Sequence, residues 1–475
     1  MSGLFGSLNS AASGLKTTQT ALQTVGHNIS NSNTAGYTRQ QVKVTANNPY
    51  LQAGVGFLGT GAKVSGIVRV VDDSVTGQLR NENSMQERYN QKSESLSQLE
   101  SVFDELSGTG LSTDISKVFS SWTHLSSNPE LSAAKTTVVQ SSETMTDTMN
   151  HMASQIEKLQ GSTIKQLETG VTDFNTKIEQ LTTLNDQIAY AVSSGETPND
   201  LYDTQDQLLS DIAELSNIEV KKDDQHRAFI SVDGQDVLTK TGMNKLTVSE
   251  TGSVSVADKK GKTTELTLRS GNIKGNQEAL AVMKDQMQSL NEFVFTFASA
   301  VNTIHGDSDK TNQPFFDLGD GPDYAKTISV SKEILEKPET IHAGKDLVDS
   351  AAGDGTRAQA IANLQNTKLV YPAEKLVYNK DSMKIEDQKG GASVIDSYNT
   401  LVTELGIVTH QANSNADSQT DLVQLLQQRR ASISGVSINE EVTNMIQYQS
   451  AFQANSRMIS TVAEMLDTLI NRTGV

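Results

Sequence analysis

The side chains with the most chemistry to offer are dispersed. Seven histidines run from His27 to His410, and no two are closer than 27 positions, so no local metal-ligand spacing exists. There is no cysteine, hence no disulfide framework and no thiolate nucleophile. Neither a G-x-S-x-G elbow nor a P-loop occurs. Asp200, Asp203 and Asp206 recur every three residues, but no histidine joins them in sequence. They read as helix-start acids favoured by the helix dipole rather than as metal ligands. Asp307 and Asp309 open an EF-hand-like run, yet Asn312 and Leu318 stand where the loop needs Gly and Glu, so a solvated loop is expected. Gly54, Gly56 and Gly59 spell G-x-G-x-x-G, with no clean strand before them and no helix after. The residues therefore point away from catalysis: no catalytic, cofactor-binding or metal-binding residue is expected.

What the chain does contain is period. Leu8, Leu15, Leu22 and Ile29 recur at seven, and Leu4, Ala11, Thr18 and Val25 form a second register at seven. Together they make the alternating 3/4 spacing of a coiled-coil seam. Gly14 and Gly26 inside this helix each cost about 1 kcal/mol relative to Ala. A helix so built needs a partner surface. The run Asn28 to Tyr37, rich in Asn and closed by Gly36, reads as its exit. At the other end Ile438, Met445, Phe452, Ile459 and Leu466 also recur at seven. A second register of Val442, Ala463 and Ile470 is interrupted by Gln449 and Ser456. Ser437 is positioned to cap this last helix, with Glu440 completing a capping box. Spacing alone leaves open a pair of ordinary core helices.

Between the two ends, glycines punctuate short β-prone runs over 41–71. Helical period returns over 73–106, where Gly108 and Gly110 end it, and again around Ile115, Phe119, Trp122 and Leu125. Residues 131–192 read as one helix about 90 Å long, with Gly161 and Gly170 as candidate kinks. Its stripe of Met145, Met149 and Met152 reads as core. Another helix follows Pro198. Period two then takes over in 218–268, with Asp233-Gly234, Thr251-Gly252 and Lys260-Gly261 as hairpin turns: a small all-β insertion facing solvent. Helical period resumes over 273–304, where it should pack on the long helix. The fold expected is mainly α. Discontinuous terminal coiled-coil helices (1–45 with 436–475) flank a long central helical bundle with some short strands (46–217 and 272–435). A β domain (218–271) is inserted in that bundle.

Length and charge set outer limits. A chain of 475 residues has room for about three domains. Its 39 bases against 57 acids give a net charge of −18, which disfavours nucleic acid and favours a soluble, self-repelling monomer. No run of eighteen apolar residues spans a membrane, and no signal peptide of the Sec type opens the chain.

The ends carry a family resemblance. The stretch Ser30-Asn31-Ser32-Asn33-Thr34-Ala35-Gly36-Tyr37-Thr38-Arg39-Gln40, preceded by Asn28, resembles the N-terminal signature of the bacterial flagellar axial proteins: rod, hook and hook-associated subunits. Ser434-Gly435-Val436-Ser437-Ile438-Asn439-Glu440-Glu441 resembles their C-terminal signature. Inner segments at 69–80, 199–209 and 314–341 are similar to those of the hook-associated subunits. The resemblance implies a structural subunit at the hook–filament junction, exported without a cleaved signal peptide and located outside the cell. It implies self-association in a ring and contact with the flagellar hook protein and a second junction protein (hook-associated protein 3). It also implies a dedicated export chaperone at the C-terminal helix. On that reading Leu4, Leu8, Leu15, Leu22, Val25 and Ile29 face Ile438, Met445, Phe452, Ile459, Leu466 and Ile470 and neighbouring subunits, and the ends order only on assembly. A hook or rod subunit, a secreted helical-bundle adhesin or effector, and an undetected hydrolase remain the alternatives.

Overall fold

The computed structural model describes residues 2–52, 54–103, 110–258, 261–306, 313–347, 350–373 and 375–472. Leu106 and Gly108, Lys260, and the carboxylate loop at 307–312 lie outside the described residues.

Eleven α-helices organise them: α1 (Ser2–Ser30), α2 (Asp73–Val102), α3 (Leu111–Ser127), α4 (Ser132–Ser193), α5 (Asn199–Leu215), α6 (Asn272–Gly306), the short α7 (Tyr324–Thr327), α8 (Lys332–Glu336) and α9 (Thr356–Asn363), then α10 (Val394–Ser434) and α11 (Ile438–Asp467). The 62 residues of α4 run unbroken, about 90 Å at 1.5 Å per residue. Neither glycine interrupts it. Gly170 instead admits a neighbour, since a Cβ there would lie 3.2 Å from Ile273 of α6.

Two cores share α4. In its first half Met145, Met149 and Ile156 are fully buried with Trp122, Leu290 and Phe297, so the methionine stripe is core. Trp122 meets Phe315 edge-on at 5.1 Å. In its second half Leu167, Phe174 and Ile178 pack against the β segment. That segment holds a four-stranded antiparallel sheet, β5 (Glu219–Lys222), β6 (Ala228–Val232), β7 (Gln235–Thr239) and β8 (Gly242–Met243). Beside it lies a three-stranded sheet of β9 (Lys245–Val248), β10 (Val254–Ala257) and β11 (Thr263–Glu265). Asp233 and Gly234 both take positive φ, 50° and 72°, as a two-residue hairpin turn requires.

The β segment is not a solvent-facing excursion with its own core. Ile230, Val232 and Val254 are buried in the same cluster as Phe174, Ile178 and Ile273. Two asparagines of α4 also act as surrogate strand partners. Asn175 bonds both N–H and C=O of Leu246 at 2.9 Å, and Asn185 does the same for Ala228 at 2.9 and 2.8 Å. Each carboxamide satisfies a strand-edge donor and acceptor at once.

Toward the chain ends the body narrows to α2 packed along α10, a seam with few apolar residues. Gln86 donates to Thr420 at 3.0 Å and Gln419 to Glu82 at 2.6 Å, around a small cluster of Leu79, Val423 and Leu426. A hairpin of β1 (Gln40–Ala46) and β4 (Ala62–Arg69) follows α1, and β2 (Tyr50–Gln52) and β3 (Gly56–Leu58) form its tip.

Candidate functional site

The helices α1 and α11 lie along each other. At Gly14 they approach so closely that a Cβ would sit 2.9 Å from Asn455 Oδ1. The buried line of α1 is made of small residues, Ala11, Thr17, Ala21, Thr24 and Val25, ending at Asn28. The hydroxyls of Thr17 and Thr24 bond back to Ser13 and Thr20 carbonyls, so their burial leaves nothing unsatisfied.

In the single chain the heptad residues are covered only in part. Leu4, Leu8, Leu15, Leu22 and Ile29 are half-buried, and only Val25 is fully covered. On α11, Met445, Phe452, Ile459 and Leu466 are half-buried, while Ile438 and Ile470 are 51% and 66% exposed and lie outside the seam. Val462, absent from the heptad list, is the apolar residue of α11 that is buried. In the single chain both ends are helical and paired with each other. The apolar residues left exposed fall in two groups, Val442 with Ile446 near the start of α11 and Met458 with Met465 further along on another side.

The signature residues converge on one buried carboxamide. Asn28 is 1% exposed and spends all its hydrogen-bonding capacity. Its Nδ2 donates to the Gln40 carbonyl at 2.9 Å and to Glu441 Oε2 at 3.1 Å. Its Oδ1 accepts from the Gln40 N–H at 3.0 Å and from the Tyr37 hydroxyl at 2.7 Å. One side chain thus joins α1, the signature loop, β1 and α11. Burial first, then Asp200, Asp203 and Glu441, pushes the Tyr37 hydroxyl up and keeps it a donor. Asn31 donates to the His27 carbonyl and accepts from the Thr34 hydroxyl, closing the helix exit. Gly36 takes φ +80°, as the helix exit requires. Asn33 is exposed. Gly435 leaves no room for a Cβ against the Ala431 carbonyl.

The α11 cap departs from the expected box. Ser437 accepts from the Glu440 N–H, but the Glu440 carboxylate binds Arg39 Nη1 at 3.2 Å instead of turning back. The Arg39 N–H also donates to the Ser434 carbonyl at 2.9 Å.

A second clamp uses the α5 acids. Only Asp200 lies in the first turn, so the dipole does not account for the other two. Arg69 Nη1, at the end of β4, bonds Asp203 Oδ1 and Asp206 Oδ2 at 2.8 Å each. Asp203 also accepts from the Thr38 N–H at 3.1 Å, and Lys222 reaches Asp206 at 3.3 Å. Burial pushes the Asp206 carboxyl up, but Lys222 and Arg69 outweigh it and hold it below the usual range. Asp200 accepts from Gln40 Nε2 at 2.8 Å, and His27 Nε2 lies 3.5 Å from it. A histidine therefore does reach these acids in space. Even so, no group of three or more His, Asp or Glu among the described residues could hold a metal ion. Sequence reasoning missed Arg69, Gln40 and Thr38 as members of the site. The available signal was acids at three-residue spacing facing a strand that ends in arginine. No helix among the described residues is long and apolar enough to cross a membrane.

Known proteins match along the whole chain. A flagella basal body rod protein model matches residues 8–38, the flagellar basal body rod FlgEFG protein C-terminal model residues 427–472, and the flagellar hook-associated protein FlgK helical domain model residues 96–316. Flagellar hook-associated protein 1 of Bacillus subtilis (strain 168) is 28% identical over 525 aligned residues, covering 100% of this chain and 99% of its own. Along its whole length the chain is similar to flagellar hook-associated protein 1. The protein of that name from Salmonella typhimurium is 25% identical over 98% of this chain and 99% of its own. The fold is that of the flagellar hook junction protein FlgK from Burkholderia pseudomallei, at a TM-score of 0.63 and 14% identity, covering 75% of this chain and all of that one. The two rod-protein models span both partners of the Asn28–Glu441 bond, so the latch of this hook-associated protein 1 homologue is built from the segments it shares with rod proteins.

Proposed function

We propose that the chain is a structural subunit of the bacterial flagellum at the junction of hook and filament, self-associating in a ring through α1 and α11. One observation carries this: the chain ends are latched together by buried polar bonds, yet α11 leaves Val442, Ile446, Met458 and Met465 exposed. Exposed apolar side chains in that number along one helix mark an interaction surface. The polar latch fixes the angle of the helix pair, and neighbouring copies supply the missing apolar contacts, each buried side chain contributing about 1.5–3 kcal/mol. The partners beyond its own copies are the hook protein on one side and the second junction protein (hook-associated protein 3) on the other. Before export the same side chains suit a dedicated chaperone, which keeps them from water. The site of action is outside the cell, reached without a cleaved signal peptide. The working division is an assembly unit of 1–45 with 436–475 and a body that projects from it. The role is assembly rather than catalysis.

Leu15→Asp and Phe452→Asp test the reading. Each should abolish incorporation at the junction and motility while the melting of the central bundle is unchanged. Normal incorporation of either variant would sink the terminal-seam mechanism.

A further inference from the structure

Two exposed surfaces far apart in the chain have complementary character. The first is the hairpin of residues 40–69. It belongs to a 71-residue opening stretch that holds five bases and no acid. Arg69 and Arg39 are committed to ion pairs, while Lys43 and Lys63 are exposed and make none among the described residues. Its tip is apolar and open: Leu51, Val55 and Phe57 are 67%, 65% and 74% exposed. A two-stranded hairpin that shows three large apolar side chains to water gains nothing from doing so alone.

The second surface is the outer side of α10. From residue 394 to 428 this helix has four acids and neither lysine nor arginine. Two patches fall on one side of it, Glu404 with Ile407 and Val408, and Asp421 with Leu422 and Leu425, all exposed and about 20 Å apart along the helix. Glu404 and Asp421 form no ion pair among the described residues, and Ile407 and Leu425 are 61% and 63% exposed. The opposite side packs on α2 and is closed.

We infer that the hairpin tip of one copy docks on the outer face of α10 of the next, Phe57 and Leu51, paired across the tip, seating on Leu422 and Leu425, with Lys43 and Lys63 toward the acids of that face. The charge pattern selects this occupant. The exposed apolar residues of α11 also offer the hairpin area but share their helix with Arg457, whereas Leu422 and Leu425 of α10 stand beside Asp421 with no lysine or arginine between 394 and 428. Because two different patches meet, the contact is head-to-tail, and it propagates around a ring. Rim charges of this kind set partner choice and weaken with salt. The inference rests on the junction reading and names the contact surface between bodies that the terminal helices leave unassigned.

The absence of cysteine gives a clean test. The full-length F57C/L425C double variant is expressed in flagellated cells, located by immunogold, and treated in isolated flagella with a short bis-maleimide. Expected are cross-linked dimers and higher multimers from the double variant and none from either single variant. Lys43→Glu with Lys63→Glu should reduce junction protein about tenfold, and adding Glu404→Lys with Asp421→Lys should restore it. Protein at the junction but no multimers when F57C is paired with I407C, L422C or L425C would overturn the docking and leave the junction role intact. Multimers from F57C alone would mean hairpin meets hairpin, and would also overturn it. Protein absent from the junction in the unmutated chain would remove the functional reading and the docking together.

Discussion

Asn28 and Glu441, 413 residues apart, are joined by a hydrogen bond of 3.1 Å from carboxamide to carboxylate, with the two residues 1% and 3% exposed. Because the same carboxamide holds both backbone groups of Gln40, its loss strands several buried polar groups at once. Each costs about 1–3 kcal/mol, and a carboxylate more. Asn28→Ala should therefore release the ends without melting the body. Hydrogen exchange should rise at 28–40 and 437–441 while α4 stays protected. Asn28→Asp has the same shape but sets a second carboxylate beside Glu441, and should do equal damage. Exchange like that of the wild type in either variant would show that the bond holds nothing.

Arg69 is the counterpart on the other side of the hairpin. Its side chain is 12% exposed, as is that of Asp206, and that of Asp203 is 10% exposed. Removing one partner of a buried ion pair costs about 3–5 kcal/mol, because the other is left charged and dry. Arg69→Ala should detach β4 from α5, read as early proteolysis in 40–69. A double-mutant cycle with Asp203→Asn should return a coupling of about 0.5–3 kcal/mol. The pH dependence has a definite sign. The Asp206 carboxyl is held below its ordinary 3.8, so its contribution is present above that pH and is lost as pH falls through the folded value. In Arg69→Ala that acid sensitivity should shrink.

The long helices were legible because their signals are local. Met145, Met149, Met152 and Ile156 repeat along α4 at helical spacing, and the structure buries all four. The polar latch was only half legible. Asn28, Tyr37 and Glu441 stood out as signature residues, but their bonds to one another span up to 413 positions and leave no period. The heptad spacing of α11 did not show that Ile438 and Ile470 stay exposed in the single chain, because spacing records which residues share a face and says nothing of how long the partner helix runs beside it. In the β segment alternation shows that one face is buried but not what covers it, which the structure gives as α4.

His305 predicts a second pH effect, far from the latch. It is fully buried, and its Nε2 accepts from the His342 N–H at 3.2 Å while Nδ1 lies 3.2 Å from the Gln313 carbonyl. That arrangement requires the neutral tautomer with the proton on Nδ1. Burial first, then His342, and more weakly Arg357 and Lys135, brings its pKa down to about 3 against the upward pull of the Gln313 carbonyl. Arg357 beside it is buried on backbone carbonyls of Ile304, Gly344 and Lys345. The folded form thus excludes a proton that the unfolded chain binds below about 6.5. The contribution is complete above that pH and is lost as pH falls toward 3. His342, also held below its ordinary value, adds in the same direction. The melting temperature should drop between pH 6.5 and 5, before most carboxylates titrate. His305→Gln should flatten that drop while lowering stability at pH 8. An unchanged slope would mean that another group sets it.

The two glycines of α1 make the last prediction, because the structure separates positions that sequence treats alike. A Cβ at Gly26 meets nothing within 4 Å, whereas at Gly14 it meets the Asn455 amide at 2.9–3.1 Å. Gly26→Ala should therefore recover the full helix-propensity difference of about 1 kcal/mol, seen as roughly fivefold slower exchange across α1. Gly14→Ala gains the same propensity but must swing the Asn455 amide aside, so its net effect should be near zero. Gly14→Leu should force the helices apart and expose Ala21 and Val25. If Gly14→Leu leaves α1 exchange unchanged, the close approach at Asn455 is not what holds the terminal pair together.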